Sequence, residues 1–139
     1  SSNNADANFP KVSWLTLIRA TGTNPETAGS SEISAIQFKK HGNGKFTNVY
    51  IDGYKNTGGK QAYPVLIQDS PTDISQVIAN KVLVSPINVV NSDNAGVWGY
   101  TFTSTAPKTI TNSSAVTKVA ITGGAWSTVE GVDLTSLLK

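Results

Sequence analysis

Residues 33–54, ISAIQFKKHGNGKFTNVYIDGY, carry the reading of the fold. Two apolar runs flank the segment His41-Gly42-Asn43-Gly44. In the first, Ile36 and Phe38 share a face. In the second, Val49 and Ile51 point one way, while Asn48, Tyr50, Asp52 and Tyr54 point the other. Side chains two apart line one face of a pleated strand, so both runs read as half-buried strands. Asn-Gly between two such runs signals a hairpin, because a primed two-residue turn needs positive φ at both central residues. The expectation here is an antiparallel hairpin with Gly44 in the left-handed region.

The same alternation extends outward from this segment. Val12, Trp14, Thr16 and Ile18 alternate with Ser13, Leu15 and Leu17, and both sets are largely apolar, so this strand should be covered on both faces. Tyr63 to Gln68 reads as a strand. So does Lys81 to Val90, where Pro86 marks an edge or a bulge. Val97 to Ser104 places Trp98, Tyr100 and Phe102 on one face as core. Val116 to Thr122 and Trp126 to Val129 complete the set. Gly58-Gly59 and Asn91-Ser92-Asp93-Asn94 read as turns. One helix is expected over about 70–80, where Ser70 caps, Pro71 opens, and Ile74, Val77 and Ile78 fall at helical spacing. Roughly eight or nine strands with one capping helix predict an all-β fold, an antiparallel β-sandwich or jelly roll, with a partly closed barrel as the runner-up. With neither an internal repeat nor a linker, residues 1–139 read as a single domain.

Composition narrows the function classes. Ser, Thr and Asn make up 43 of 139 residues, only 14% are charged, and there are 12 Gly. With no Cys and a single His, His41, disulfides, zinc–thiolate sites and multi-histidine metal sites are excluded. No stretch approaches the ~20 apolar residues of a membrane helix. The net charge is +2, but the one basic cluster is Lys39, Lys40, His41 and Lys45, and Arg19 is the single Arg. That is too little for the basic stripe that tracks phosphates, so nucleic acid is not an expected partner. With no Met and Ser1 at its start, the chain reads as a product from which a leader was removed or as a domain excised from something longer. Low charge, absent Cys and Met and a Ser/Thr/Asn/Gly-rich composition lead to the expectation of an extracellular, secreted, or cell- or virion-surface location.

The reactive side chains form no recognisable catalytic set. His41 lies among lysines in a turn, a poor setting for a general base. Of the nine acids, most fall in turns or caps, and only Asp52 and Glu130 lie in or beside strands. The Asn91–Asn94 loop offers oxygen ligands but one carboxylate, so it reads as an Asx-rich turn and not a calcium site. Gly58-Gly59-Lys60 lacks the helix that a phosphate-cradling loop requires. No enzyme activity, cofactor or metal is expected.

Two functions remain. The first is a non-catalytic structural subunit of an extracellular assembly (a fibre, pilus or virion shell) made by strand or arm contacts between copies. Polar Ser1 to Asn8 leads into a two-sided apolar strand, so residues 1–18 form a candidate assembly arm in which Val12, Trp14 and Ile18 would fill pockets of an adjacent copy. The alternative is a carbohydrate-binding module of a secreted protein. There Asn48, Tyr50, Asp52 and Tyr54 would meet a polysaccharide, since a tyrosine face with amide and carboxylate groups can stack on sugar rings and bond their hydroxyls.

Overall fold

In the computed structural model the described residues are 10–19, 32–38, 44–67, 82–100, 109–120, 128–129 and 132–133. They form nine strands: β1 (Lys11–Ile18), β2 (Glu32–Phe38), β3 (Gly44–Asp52), β4 (Gln61–Ile67), β5 (Val82–Val84), β6 (Ile87–Val90), β7 (Gly99–Tyr100), β8 (Thr128–Val129) and β9 (Val132–Asp133). The chain alternates between two sheets. One is ordered β1-β3-β5 with β6 also on β3, and the other is β2-β4-β7. All pairings within both sheets are parallel; among the described strands only the separate β8–β9 pair is antiparallel, and the isolated bridges Thr57–Lys60 and Val97–Thr109 are antiparallel too.

This corrects the antiparallel sandwich or jelly roll expected from sequence. β2 and β3 are not hairpin mates; they lie in different sheets. Gly44 opens β3 and is not among the described glycines with positive φ, which are Gly53, Gly58 and Gly59. Parallel neighbours require a long crossover between them, and here the intervening strand of the other sheet supplies it. Lys11 meets Lys45 and Gly44 meets Val82, so successive coils of chain take 34 and 38 residues. This is the winding of a parallel solenoid. Among the described residues there is no helix, and the one expected near 70–80 lies outside them, as do Phe102 and Trp126.

Register builds the core as columns. Leu15, Val49 and Ile87 share one row, and Leu17, Ile51 and Val89 share another. In the second sheet Ile36 meets Val65 and Phe38 meets Ile67. These residues belong to one buried cluster, with Leu15 and Leu17 packed against its rim. The Phe38 and Phe46 rings join the two sheets edge to face, with centroids 5.9 Å apart. Trp98 is buried in the same cluster, as expected. Burying a side chain such as Ile51 completely contributes about 1.5–3 kcal/mol.

The alternation of faces breaks once within the strands of the first sheet. Phe46 packs inward and so does Val49, with Val84 and Ile87 doing the same in the next coil. The additional residue is a corner. Trp14 has φ 60 and Asn48 has φ 52, and their rows align with Pro86 between β5 and β6. The chain bends there, leaving Ser13-Trp14, Thr47-Asn48 and Ser85-Pro86 outside. The corner explains why β1 looked apolar on both faces. Its inward set is Leu15 and Leu17, with Val12 in the row of Phe46 and Val84, while Trp14 and Ile18 are exposed.

A second corner follows β3 and β6. Gly53 (φ 82) and Asn91 (φ 50) stand one residue beyond the paired Asp52 and Val90, and the Gly53 amide donates to the Val90 carbonyl at 3.2 Å. A Cβ on Gly53 would make only ordinary contact with Arg19, so the positive φ requires the glycine and not a lack of space. Beyond it, Thr57 and Lys60 exchange backbone hydrogen bonds around Gly58 (φ 57) and Gly59 (φ 75), the primed turn that a Gly-Gly pair favours.

Gly99 marks the tightest approach in the second sheet. A Cβ there would collide with the Tyr63 ring and lie 2.9 Å from Leu66 Cδ1, whereas Gly96 has open space. Gly99→Ala should therefore lower stability by about 1–3 kcal/mol through overpacking. Gly96→Ala should change it by less than about 0.5 kcal/mol. Urea unfolding of the two variants checks the contrast; equal midpoints would contradict this packing.

Candidate functional site

The residues expected to serve assembly differ in exposure along β1. Val12 is half-buried in the row of Phe46. Trp14 is 65% exposed at its corner, and Ile18 is 36% exposed at the end of the strand. β1 itself pairs in parallel with β3 of the same chain. Among the described residues β1 pairs with no strand on its other side, so it is an edge. The opposite end of the sheet is met by the next segment of chain. Ile87 bridges Asn112 in parallel, the Ser113 amide donates to the Ile87 carbonyl at 2.8 Å, and Asn112 Nδ2 donates to the Val89 carbonyl at 3.4 Å.

The four residues expected to form a sugar-binding face are also separated. Asn48 stands at the first corner beside Trp14 and Pro86. Tyr54 lies past the Gly53 corner and packs against the core. Only Tyr50 and Asp52 remain together on the outer face, the Tyr50 hydroxyl 3.5 Å from Asp52 Oδ2, long for a hydrogen bond. Asp52 Oδ1 in turn accepts from Asn91 Nδ2 at 2.9 Å. Burial raises the Tyr50 phenol above its usual value, and the Asp52 charge and hydrogen bond add to the shift.

A segment of the same chain crosses this face. Thr16, Tyr50 and Asn88 share one row across β1, β3 and β6. The Val119 amide donates to Thr16 Oγ1 at 3.0 Å, and Asn88 Nδ2 donates to the Val116 carbonyl at 2.8 Å. Residues 116–119 are thus tied to the row on both sides of Tyr50, and Val116 is buried. A tie across three strands also fixes the edge strand to the body of the sheet. The tyrosine row is therefore partly covered by the protein itself and is not an open platform.

The Asx-rich loop after β6 likewise works within the fold. Asp93 Oδ2 accepts from the Asn56 amide at 2.7 Å, and Asn56 Oδ1 accepts from the Ala62 amide at 2.8 Å. Asn94 Nδ2 donates to the Ala62 carbonyl at 2.8 Å, and the Ser92 hydroxyl accepts from the Tyr54 amide at 3.2 Å. These side chains satisfy backbone groups where two successive coils turn between the sheets, as Asx side chains do in turns. Among the described residues no cluster of three or more His, Asp or Glu side chains could hold a metal ion. No helix among them is long and apolar enough to cross a membrane.

Comparisons with protein-family models, curated proteins and solved structures found no match.

Two features of this surface were not read from sequence: the left-handed Trp14 and the 116–119 tie. Trp is a bulky residue that rarely takes positive φ, so nothing in its identity signals a corner. The tie depends on pairing between residues 103 positions apart.

The Tyr50 environment is open to test by spectrophotometric titration at alkaline pH. A raised phenol pKa favours the protonated form in the folded state. The stabilisation is present below the ordinary tyrosine range and lost as pH climbs through the raised value. Tyr50→Phe should remove one phenol from the alkaline end of the curve, and Asp52→Asn should move that phenol to lower pH. An alkaline limb unchanged in both variants would contradict the arrangement.

Proposed function

We propose that this chain is a non-catalytic structural module of an extracellular assembly, with copies meeting along the β1 edge. The supporting observation is that β1 pairs on one side only among the described residues, while the far end of its sheet is met by residues 112–113. An edge strand carries a row of backbone donors and acceptors that can pair with another chain. Lys11 and Arg19 stand at its ends, but from Ser13 to Ile18 it carries no charge to deter such pairing. Low overall charge weakens repulsion between packed copies. The partner is another copy of the chain; nucleic acid plays no part in this reading. A polysaccharide on the Tyr50 face is less favoured, because the 116–119 segment is tied across that row.

Light scattering after size-exclusion chromatography, with electron microscopy of the same fractions, tests the proposal. Oligomers or regular polymers are expected at micromolar concentration. Ile18→Lys places a charge on the edge and should shift the population toward monomer without lowering the melting temperature by more than a few degrees. A wild-type chain that stays monomeric over a hundredfold range of concentration would overturn the reading.

A further inference from the structure

Trp14 departs from what the fold alone would select. It holds φ 60, a conformation bulky side chains avoid, and yet its side chain is 65% exposed. The indole therefore recovers little burial for the strain of its backbone. In the next coil the same corner is filled by Asn48 at φ 52, a residue type that takes this conformation more readily. Strain held at an exposed position points to a role outside folding.

The surroundings of Trp14 indicate what it would meet. Beside it, Ser13 Oγ and Thr47 Oγ1 lie 2.8 Å apart, exposed on the outer face. Asn48 shares its corner, and Lys11 and Lys45 pair two rows from Ser13 and Thr47, beyond the Val12–Phe46 row. The other large exposed apolar residue, Ile18, stands past Thr16, where the 119 amide is held. A protein interface centres its aromatic anchor in an apolar, water-excluding patch, and among the described residues the only large exposed apolar side chain besides Trp14 is Ile18, at the far end of the strand. A lone aromatic face set among hydroxyl and amide groups matches a pyranose ring, which offers one apolar C–H face and a rim of hydroxyls. We propose that Trp14, with Ser13, Thr47 and Asn48, forms a binding site for pyranose rings of a polysaccharide. The site is separate from the strapped Tyr50 face and does not require the β1 edge to be paired.

The test uses the full chain in affinity gel electrophoresis against laminarin, xylan and polygalacturonate, with melting temperature and oligomeric state measured in parallel. At least one polysaccharide should retard the wild type. Trp14→Asn, which installs the residue the next coil uses, should weaken that retardation about tenfold or more. It should also keep or raise the melting temperature and leave the oligomeric state unchanged. Trp14→Phe should retain most of the binding. Three results would overturn the proposal: no retardation of the wild type by any of the three, undiminished binding by Trp14→Asn, or a lower melting temperature in that variant. Conversion of oligomer to monomer by Trp14→Asn would assign the indole to a contact between copies and overturn it as well.

Discussion

In-register parallel pairing is the constraint on which the other features depend. Once Leu15, Val49 and Ile87 occupy one row, each coil must deliver an apolar residue to the same inward position. The two sheets meet through these columns, and the Phe38–Phe46 contact spans them. A slip of one residue would turn Val49 and Ile51 outward and bring Asn48 and Tyr50 into the core. The register is therefore held by burial as much as by hydrogen bonds.

Corners follow from the same constraint. A chain that returns to the same sheet in every coil must turn at matching positions, and the turns align as the strands do. Trp14 sits beside Asn48, and Gly53 beside Asn91. Asn and Gly meet the left-handed requirement at little cost. Each non-glycine residue held there costs on the order of 1–3 kcal/mol, least for Asn. Side chains from one coil then satisfy backbone groups of the next, as Asp93, Asn94 and Asn56 do around Ala62. The abundance of Asn, Ser and Thr has part of its explanation in this role.

Most of the strands that the structure describes were legible from alternation and turn residues. β3 and β4 fall where Val49, Ile51, Tyr63 and Val65 suggested, the Gly58-Gly59 turn is present, and Pro86 does mark a break. Pairing direction was not legible. His41-Gly42-Asn43-Gly44 has the local chemistry of a hairpin, but direction is decided by which columns complete the core, and those join residues 29 to 38 positions apart. A clue did lie in β4, whose apolar residues crowd both faces as strands of parallel sheets do. Of the candidate site residues, the outward direction of Tyr50 and Asp52 was readable from period-two alternation. The fate of Asn48 and Tyr54 was not, since each adjoins a corner that resets the alternation.

Disulfide trapping tests the parallel register most directly, in a chain with no native Cys. Ser13 and Thr47 are partners with hydroxyls 2.8 Å apart, and Lys11 and Lys45 are partners at the same offset. The double variants Ser13→Cys with Thr47→Cys, and Lys11→Cys with Lys45→Cys, should each close an intramolecular disulfide under mild oxidation, read by mass spectrometry of the folded monomer. An antiparallel arrangement can satisfy one of these pairs but not both. Closure of both pairs is the predicted result. Free thiols in either folded variant after oxidation would contradict the parallel stack.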